Sequence, residues 1–242
     1  METNALLSIF ETFKKERDAA KDQGRLSIAF LSQQFGIIAQ HLIYCGHFEV
    51  RSNGKIIRCI RLDTVEFYYH EEEDGAIKDY IVYHRNKDKT PDVYLEAFPI
   101  GSLNTHVSGL DITFEDQSDK PKYRASVLIR AFRVEEKEHI KGLHHCPNEG
   151  EKRSTYMYEH LFMGIPITDG VQIQWVVDSE HTDSIPNKGY RVNVHKYVIG
   201  KNGLPEKRMK EKDSTDYLDR KGWAFSRYEF EKPWAIDDHE ER

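Results

Sequence analysis

The segment HFEVRSNGKIIRCIRLDTVEFYY, residues 47–69, decides the fold of this chain. Asn53-Gly54 divides it into two runs rich in β-branched and aromatic residues. Type I′ turns need positive φ at both central positions, and Asn and Gly tolerate that conformation best. The segment therefore predicts a β-hairpin with strands over 47–51 and 55–69.

The second strand of this hairpin carries a carboxylate, Glu66, near its middle. Side chains alternate between the two faces of a strand. Simple alternation puts five residues on one face: Ile60, Leu62, Thr64, Glu66 and Tyr68. Since burying an unpaired carboxylate is costly, Glu66 needs a cationic partner or a wet cleft. Periodicity alone favours an exposed strand end or a structural ion pair, because unusual acids mark functional sites only statistically.

Patterns outside the hairpin predict two helices and five more strand segments. Leu6, Leu7, Phe10 and Phe13 follow helical spacing, which predicts a helix over 3–22 in an N-terminal segment 1–25. Asn4 is its expected N-cap. A second helix is expected over 29–45. The strand predictions are 102–115, 123–134, 171–178, 189–198 and 225–230.

Strands that return through short loops, with the helices grouped at one end, predict an α+β fold. A length of 242 residues is near the upper limit for one hydrophobic core, so we expect a single domain over 1–242. Its sheet should be curved and mainly antiparallel. Residues 236–242 are expected to form a loose tail.

The net charge of −6 limits the ways in which this protein can hold nucleic acid. DNA binding requires a concentrated cationic surface, which must here be local. Solvated loop charges explain any single basic cluster better. The three candidate clusters are Lys120, Lys122 and Arg124; Lys201 with Lys207, Arg208, Lys210 and Lys212; and Arg220 and Lys221.

Compartment is predicted from hydropathy and cysteine usage. No apolar stretch approaches the roughly 20 residues of a membrane span, and the N-terminus lacks the pattern of a secretion signal, so we expect a cytoplasmic protein without membrane contact. Cys45, Cys59 and Cys146 are odd in number and lack metal-ligand spacing. We interpret them as ordinary buried thiols in a reducing compartment.

Three motifs occur in the order and approximate spacing of one enzyme family. They are Val65-Glu66-Phe67-Tyr68, Pro99-Ile100-Gly101-Ser102-Leu103 and Val127-Leu128-Ile129-Arg130-Ala131, with a weaker echo in Arg227-Tyr228-Glu229-Phe230 and Pro233-Trp234. In this arrangement the chain resembles the alkyladenine (3-methyladenine) DNA glycosylases of base-excision repair. The resemblance covers most of 27–135 and is faint between 140 and 220.

The resemblance implies a barrel-like single domain and a hydrolase that removes a damaged purine from DNA. Such an enzyme flips the nucleotide out of the duplex, approaching from the minor groove. In the family scheme Glu66 is the base that activates water and Arg130 orients it. The resemblance implies a monomer that uses no metal and no organic cofactor.

The same resemblance suggests four substrate contacts: Tyr68, His106, His84 and Leu110. Tyr68 matches a tyrosine that stacks on the flipped base, and His106 lies where a second stacking tyrosine is found. His84 is the counterpart of a family histidine. Leu110 is the candidate wedge, because the segment 106–110 has no tyrosine where the family inserts one into the minor groove. Packing explains each of these side chains equally well.

Two other functions remain open. One is a catalytically inactive or divergent relative that binds a nucleotide, a nucleic acid or a protein. The other is a metal-dependent hydrolase built on His139, His144, His145 and Cys146. The second is less favoured, because adjacent residues rarely point at one ion and no established zinc spacing is present.

Overall fold

The computed structural model describes residues 5–72, 77–79, 82, 95–106, 109–136, 157–162, 164–166, 168–178, 183–189, 191 and 223–230. These residues form an α+β structure in which a curled antiparallel sheet makes half a barrel, as the sequence predicts at this coarse level. Its helices are α1 (Ala5–Asp22), α2 (Ile28–Tyr44) and α3 (Met157–Phe162). Its strands are β1 (Gly46–Ser52), β2 (Lys55–Glu71), β3 (Leu103–His106), β4 (Gly109–Thr113), β5 (Tyr123–Glu136), β6 (Val171–Val177), β7 (Asn187–Gly189) and β8 (Ala224–Ser226).

The predicted hairpin is confirmed. β1 and β2 pair around Asn53 and Gly54, whose φ angles are 47° and 80°. Both central residues therefore adopt the positive φ of a type I′ turn. Asn53 also accepts a hydrogen bond from the backbone N–H of Gly170, 3.0 Å away, which joins this turn to the start of β6.

β2 is the centre of the sheet, whose strands follow the order β3-β4-β5-β2-β1-β6. One edge of β2 pairs with β5 over residues 58–71. The other edge is shared, since β1 pairs with residues 55–60 and β8 with residues 64–66. Residues 64–66 of β2 are thus flanked on both sides, by β5 and β8.

Two register shifts in the β2–β5 ladder change the alternation of side chains. One shift leaves Asp63 of β2 outside the pairing, and the next leaves Arg130 of β5 outside it. Such β-bulges insert one extra residue and re-aim the side chains around it. Leu62 and Val65 therefore both lie in the main core, although they are three residues apart.

The bulges correct the face assignment made from simple alternation. Ile60 and Leu62 lie on the core side of β2, whereas Glu66 and Tyr68 lie on the opposite side. We call that opposite side the polar face; on β2 it carries Cys59, Arg61, Asp63, Glu66, Tyr68 and His70.

The core side is covered by α1 and α2. Both helices are confirmed, although Asn4 lies outside the described residues; Ser27 caps α2 by accepting a hydrogen bond from the N–H of Phe30. Phe35 of α2 stacks on Phe67 of β2, with ring centroids 4.5 Å apart, and meets Trp223 edge-on. Aromatic pairs of this kind contribute about 0.5–1.5 kcal/mol beyond their buried area. None of the described helices combines the length and the apolar character needed to cross a membrane.

Other predictions differ in detail. The expected strand over 102–115 is a hairpin of β3 and β4, and Gly109 at its second strand has a φ of 143°. Of the strand expected over 189–198, the structure describes only residue 189, at the end of β7, and residue 191. The strand expected over 225–230 is shorter and corresponds to β8. Helix α3 was not predicted. Residues 201–221 and 236–242 lie outside the described residues.

One basic cluster is corrected by the fold. Arg124 is fully buried and forms ion pairs with Glu72 and Glu115, at 3.2 and 2.9 Å, so it is not part of a cationic surface. Lys120 and Lys122 belong to the loop between β4 and β5.

Candidate active site around Glu66

Glu66 is held on the polar face by the most completely paired part of the sheet. Its backbone lies opposite Leu128 of β5 and opposite Ala224 of β8. The residue is buried, so its carboxylate depends on neighbouring groups for the interactions that water would otherwise provide.

Arg130 is the first of these groups. Its Nε lies 3.5 Å from Oε1 of Glu66. As the extra residue of its bulge, Arg130 is released from regular pairing, and this brings a residue from the middle of β5 towards the carboxylate. About one-fifth of the Arg130 side chain is exposed, against about one-hundredth of Glu66. The pair therefore extends from the interior to the surface.

Tyr68 is the second. Its hydroxyl donates a hydrogen bond to Oε2 of Glu66, 2.9 Å away. Burial, followed by the negative charge of Glu66, raises the pKa of Tyr68 well above its usual value. The phenol keeps its proton and remains a donor. The two oxygens of Glu66 thus have different surroundings, a guanidinium beside Oε1 and a phenol on Oε2.

Arg191 covers the ring of Tyr68. Its guanidinium carbon lies 4.7 Å from the ring centroid, and its Nη1 binds Asp79 at 2.6 Å and the backbone oxygen of Phe67 at 3.0 Å. On the same polar face, Tyr68 packs with Val82 and Leu128. A base that stacks on Tyr68 must therefore displace one of these neighbours.

The other predicted contacts are placed in different ways. His106 is the last residue of β3 and pairs with Gly109 of β4. The next residue of β4, Leu110, pairs with Ile129 of β5, the residue before Arg130. His106 and Arg130 are therefore two strands apart, and at about 4.8 Å per strand their backbones are about 10 Å apart. His84 lies outside the described residues, as do His139, His144, His145 and Cys146.

Leu110 requires a correction. It is 1% exposed and belongs to the main hydrophobic core, where it pairs with Ile129. A side chain that enters the minor groove as a wedge must project from the protein surface. The alternation of β4 explains the difference, since Leu110 and Ile112 face the core and Asp111 faces the other way.

Two residues near the site were missed by sequence reasoning. Asp111 is buried on the polar face, opposite Leu128, and accepts a hydrogen bond from Ser126 at 3.0 Å. Its position was detectable, because it is the acid between two apolar residues of a strand. Arg191 had no comparable signal, since its contact with Tyr68 joins residues more than 120 positions apart.

Searches against protein-family models, curated proteins and solved structures gave no match to this chain. The chemical interpretation of the site therefore depends on its residues and on their geometry. That geometry offers an oriented carboxylate, a permanently charged arginine at the surface end and a protonated phenol at the inner end.

Proposed function

We propose that this protein is a DNA N-glycosylase that hydrolyses the bond between a damaged purine and its deoxyribose, with Glu66 as the base that activates water. The observation that supports it most is the Glu66–Arg130 pair, in which a buried carboxylate oxygen lies 3.5 Å from a guanidinium nitrogen of a side chain that is about one-fifth exposed. The ordered motifs between residues 27 and 135 support the same chemistry.

The proposed reaction uses the two oxygens of Glu66 unequally. Oε2 accepts the hydrogen bond of Tyr68, and Oε1, on the Arg130 side, is the oxygen to which we assign the proton from water. As the C1′–N bond breaks, its bonding electrons leave with the base, and the sugar becomes oxocarbenium-like while Glu66 is still ionised and stabilises it. Water then adds to C1′ as it gives its proton to Oε1 of Glu66.

Arg130 has two tasks in this proposal. Its planar, always-charged guanidinium orients the carboxylate, and its exposed part marks the side from which the sugar approaches. Because Glu66 is fully buried, binding of the flipped nucleotide requires Arg130 to shift. His106 lies on the neighbouring part of the sheet and remains the proposed stacking contact.

Tyr68 takes a different part from the one implied by the resemblance. A stacking role requires an accessible ring face, whereas Tyr68 is buried, with Arg191 over one face of its ring and Val82 and Leu128 packed against it. In the proposed site Tyr68 therefore orients the base catalyst instead of the substrate.

The test is release of the modified base from methylated duplex DNA, followed by chromatography. Wild-type protein should release alkylated purines, and Glu66→Gln should lose activity by about 10²–10⁴-fold, the usual contribution of a general base. Glu135→Gln is the matched control, because Glu135 also pairs with an arginine on this sheet but is about half exposed. Its activity should equal that of wild type.

Two results contradict the proposal. One is equal release by wild type and Glu66→Gln. The other is the absence of release by wild type from methylated duplex DNA, methylated single-stranded DNA and alkylated nucleosides alike.

The complete burial of Glu66 favours a second candidate, a binding module in which Glu66 and Arg130 are structural. This candidate is separated from the first by measuring DNA binding and base release on the same samples. If the protein is a binding module, wild type and the Glu66→Gln variant should hold DNA equally well, and neither should release a base from it.

A further inference from the structure

A second group of reactive side chains lies on the polar face, near the β1–β2–β6 edge of the sheet. His47 and Glu49 of β1 are two residues apart on the same side, and Cys59 of β2 lies opposite Glu49. One ligand atom from each of the three lies within 4.8 Å of the other two. Glu49 and Cys59 are buried, and the side chain of His47 is about one-tenth exposed.

His47 is held in an orientation suited to metal binding. Its Nδ1 lies 2.8 Å from Oδ1 of Asp178, and a carboxylate only accepts, so Nδ1 carries the hydrogen. Nε2 is then the nitrogen directed towards Glu49, 3.8 Å from its Oε1. Histidines that bind metals are commonly fixed by such a carboxylate on the other ring nitrogen.

Glu49 is oriented in the same way. Its Oε2 accepts hydrogen bonds from Arg51 at 2.6 Å and from Gln174 at 3.0 Å. Oε1 is the oxygen left facing His47. Asp178 is itself held by Arg61, whose Nη1 is 2.6 Å from Oδ2. Strands β1, β2 and β6, together with Asp178 just after β6, thus supply both the ligands and the groups that position them.

We propose that His47, Glu49 and Cys59 bind a Zn²⁺ ion. Nitrogen, carboxylate oxygen and thiolate sulfur are all zinc ligands, at about 2.0–2.3 Å from the metal. Tetrahedral geometry with those bonds puts neighbouring ligand atoms about 3.4–3.7 Å apart. The distance of 3.8 Å between Nε2 of His47 and Oε1 of Glu49 is already close to these values. All ligand atoms of the cluster lie within 4.8 Å of one another, so side-chain shifts of about 1 Å bring the remaining pairs to the tetrahedral distance.

The zinc site is independent of the proposed glycosylase chemistry. Cys59 and Glu66 are seven positions apart on β2, which at 3.3 Å per residue is about 23 Å. The metal is too far away to act on a substrate at Glu66. Its effect is to join β1 to β2 on the face opposite α1 and α2.

The experiment is zinc binding by the full chain, purified without a histidine tag. Metal-free protein is titrated with Zn²⁺ against a chromogenic chelator, and Co²⁺ serves as a spectroscopic probe. We expect about one zinc per chain and a thiolate-to-cobalt charge-transfer band. Cys59→Ser should abolish that band and reduce zinc loading at least tenfold, whereas Asp178→Asn should weaken zinc binding about 10–100-fold, as expected when a group that orients a ligand is lost.

Cys45→Ser is the matched control, because Cys45 is equally buried but is not part of the cluster. It should bind zinc like wild type. If Cys59→Ser fails to fold, the wild-type protein alone still tests the proposal. Zinc should slow the alkylation of Cys59 in wild type more than tenfold, as measured by peptide mass spectrometry. Failure of wild type to bind zinc at micromolar free concentration, or unchanged binding by folded Cys59→Ser, overturns the proposal.

Discussion

Tyr68 donates its phenolic hydrogen to Oε2 of Glu66 across 2.9 Å, so two residues of the same strand share a hydrogen bond in the interior. The contact exists because the residues are two positions apart and face the same side. It links the fold of β2 to the orientation of the candidate base.

Tyr68→Phe should therefore destabilise the protein. Removing the hydroxyl takes away the donor that Tyr68 provides to Oε2 of Glu66 in a fully buried position. A hydrogen bond to a charged group contributes about 1.5–3 kcal/mol, and we expect a loss of that size in the free energy of unfolding. Urea denaturation measures it, with Tyr123→Phe as control.

Tyr123→Phe is a matched control for Tyr68→Phe. Tyr123 is an equally buried tyrosine, and its hydroxyl has no hydrogen-bond partner among the described residues. Replacing it with Phe removes a polar atom that gains nothing from burial, so stability should stay constant or rise slightly. Equal losses in the two variants would mean that the Tyr68–Glu66 contact adds no stability.

Glu66 and Arg130 should behave as one unit in a double-mutant cycle. Arg130→Gln removes the cation beside a buried carboxylate, and the partial exposure of the arginine reduces the cost to about 1–3 kcal/mol. In the background of Glu66→Gln the same change should cost much less, giving a coupling energy of about 0.5–3 kcal/mol. Additive losses in urea denaturation would argue against the pairing.

The same cycle bears on activity. If both residues serve one step, the double variant should lose no more base-release activity than Glu66→Gln alone, because residues that act as a unit are not additive. Losses that multiply in single-turnover assays would assign Arg130 a separate role.

The hairpin was predictable because its signal is local. Asn53-Gly54 encodes the turn by its own conformational preference, and the flanking residues encode strands by composition. The adjacency of Glu66 and Arg130 was foreseen only through a resemblance, since nothing within either segment determines which strands pair. The bulges at Asp63 and Arg130 reflect pairing between β2 and β5, so alternation along one strand missed them. Leu110 failed as a wedge for a related reason, because its face depends on where β3 ends and β4 begins.

Two glycines should respond to alanine in opposite directions. Gly54 has a φ of 80°, a conformation that costs alanine about 1 kcal/mol, so Gly54→Ala should lower the free energy of unfolding by about that amount. Gly36 lies within α2, where an added Cβ meets only the ring of Phe225 at 3.5 Å, an ordinary contact. Gly36→Ala should raise stability by about 0.5–1 kcal/mol, because alanine is the better helix former. Thermal and urea denaturation of both variants provide the test, and a stabilising Gly54→Ala would contradict the assigned turn.

Asp116 should make stability depend on pH in the acidic range. Burial raises the pKa of its carboxyl, but hydrogen bonds from the backbone N–H of Lys122 and from Ser118 and Lys14 outweigh burial, so the pKa lies below its ordinary value of 3.8. Because the folded state favours the charged form of Asp116, its stabilising effect is present above pH 3.8 and is lost as the pH falls through the folded pKa.

Asp116→Asn should lower the free energy of unfolding by about 1–2 kcal/mol at neutral pH, and its difference from wild type should shrink below about pH 4. Asp119 is exposed in the same loop, and Asp119→Asn should change stability by less than about 0.5 kcal/mol at any pH. A difference between wild type and Asp116→Asn that stays constant from neutral pH down to about pH 2 would show that the charge of Asp116 does not stabilise the junction between α1 and this loop.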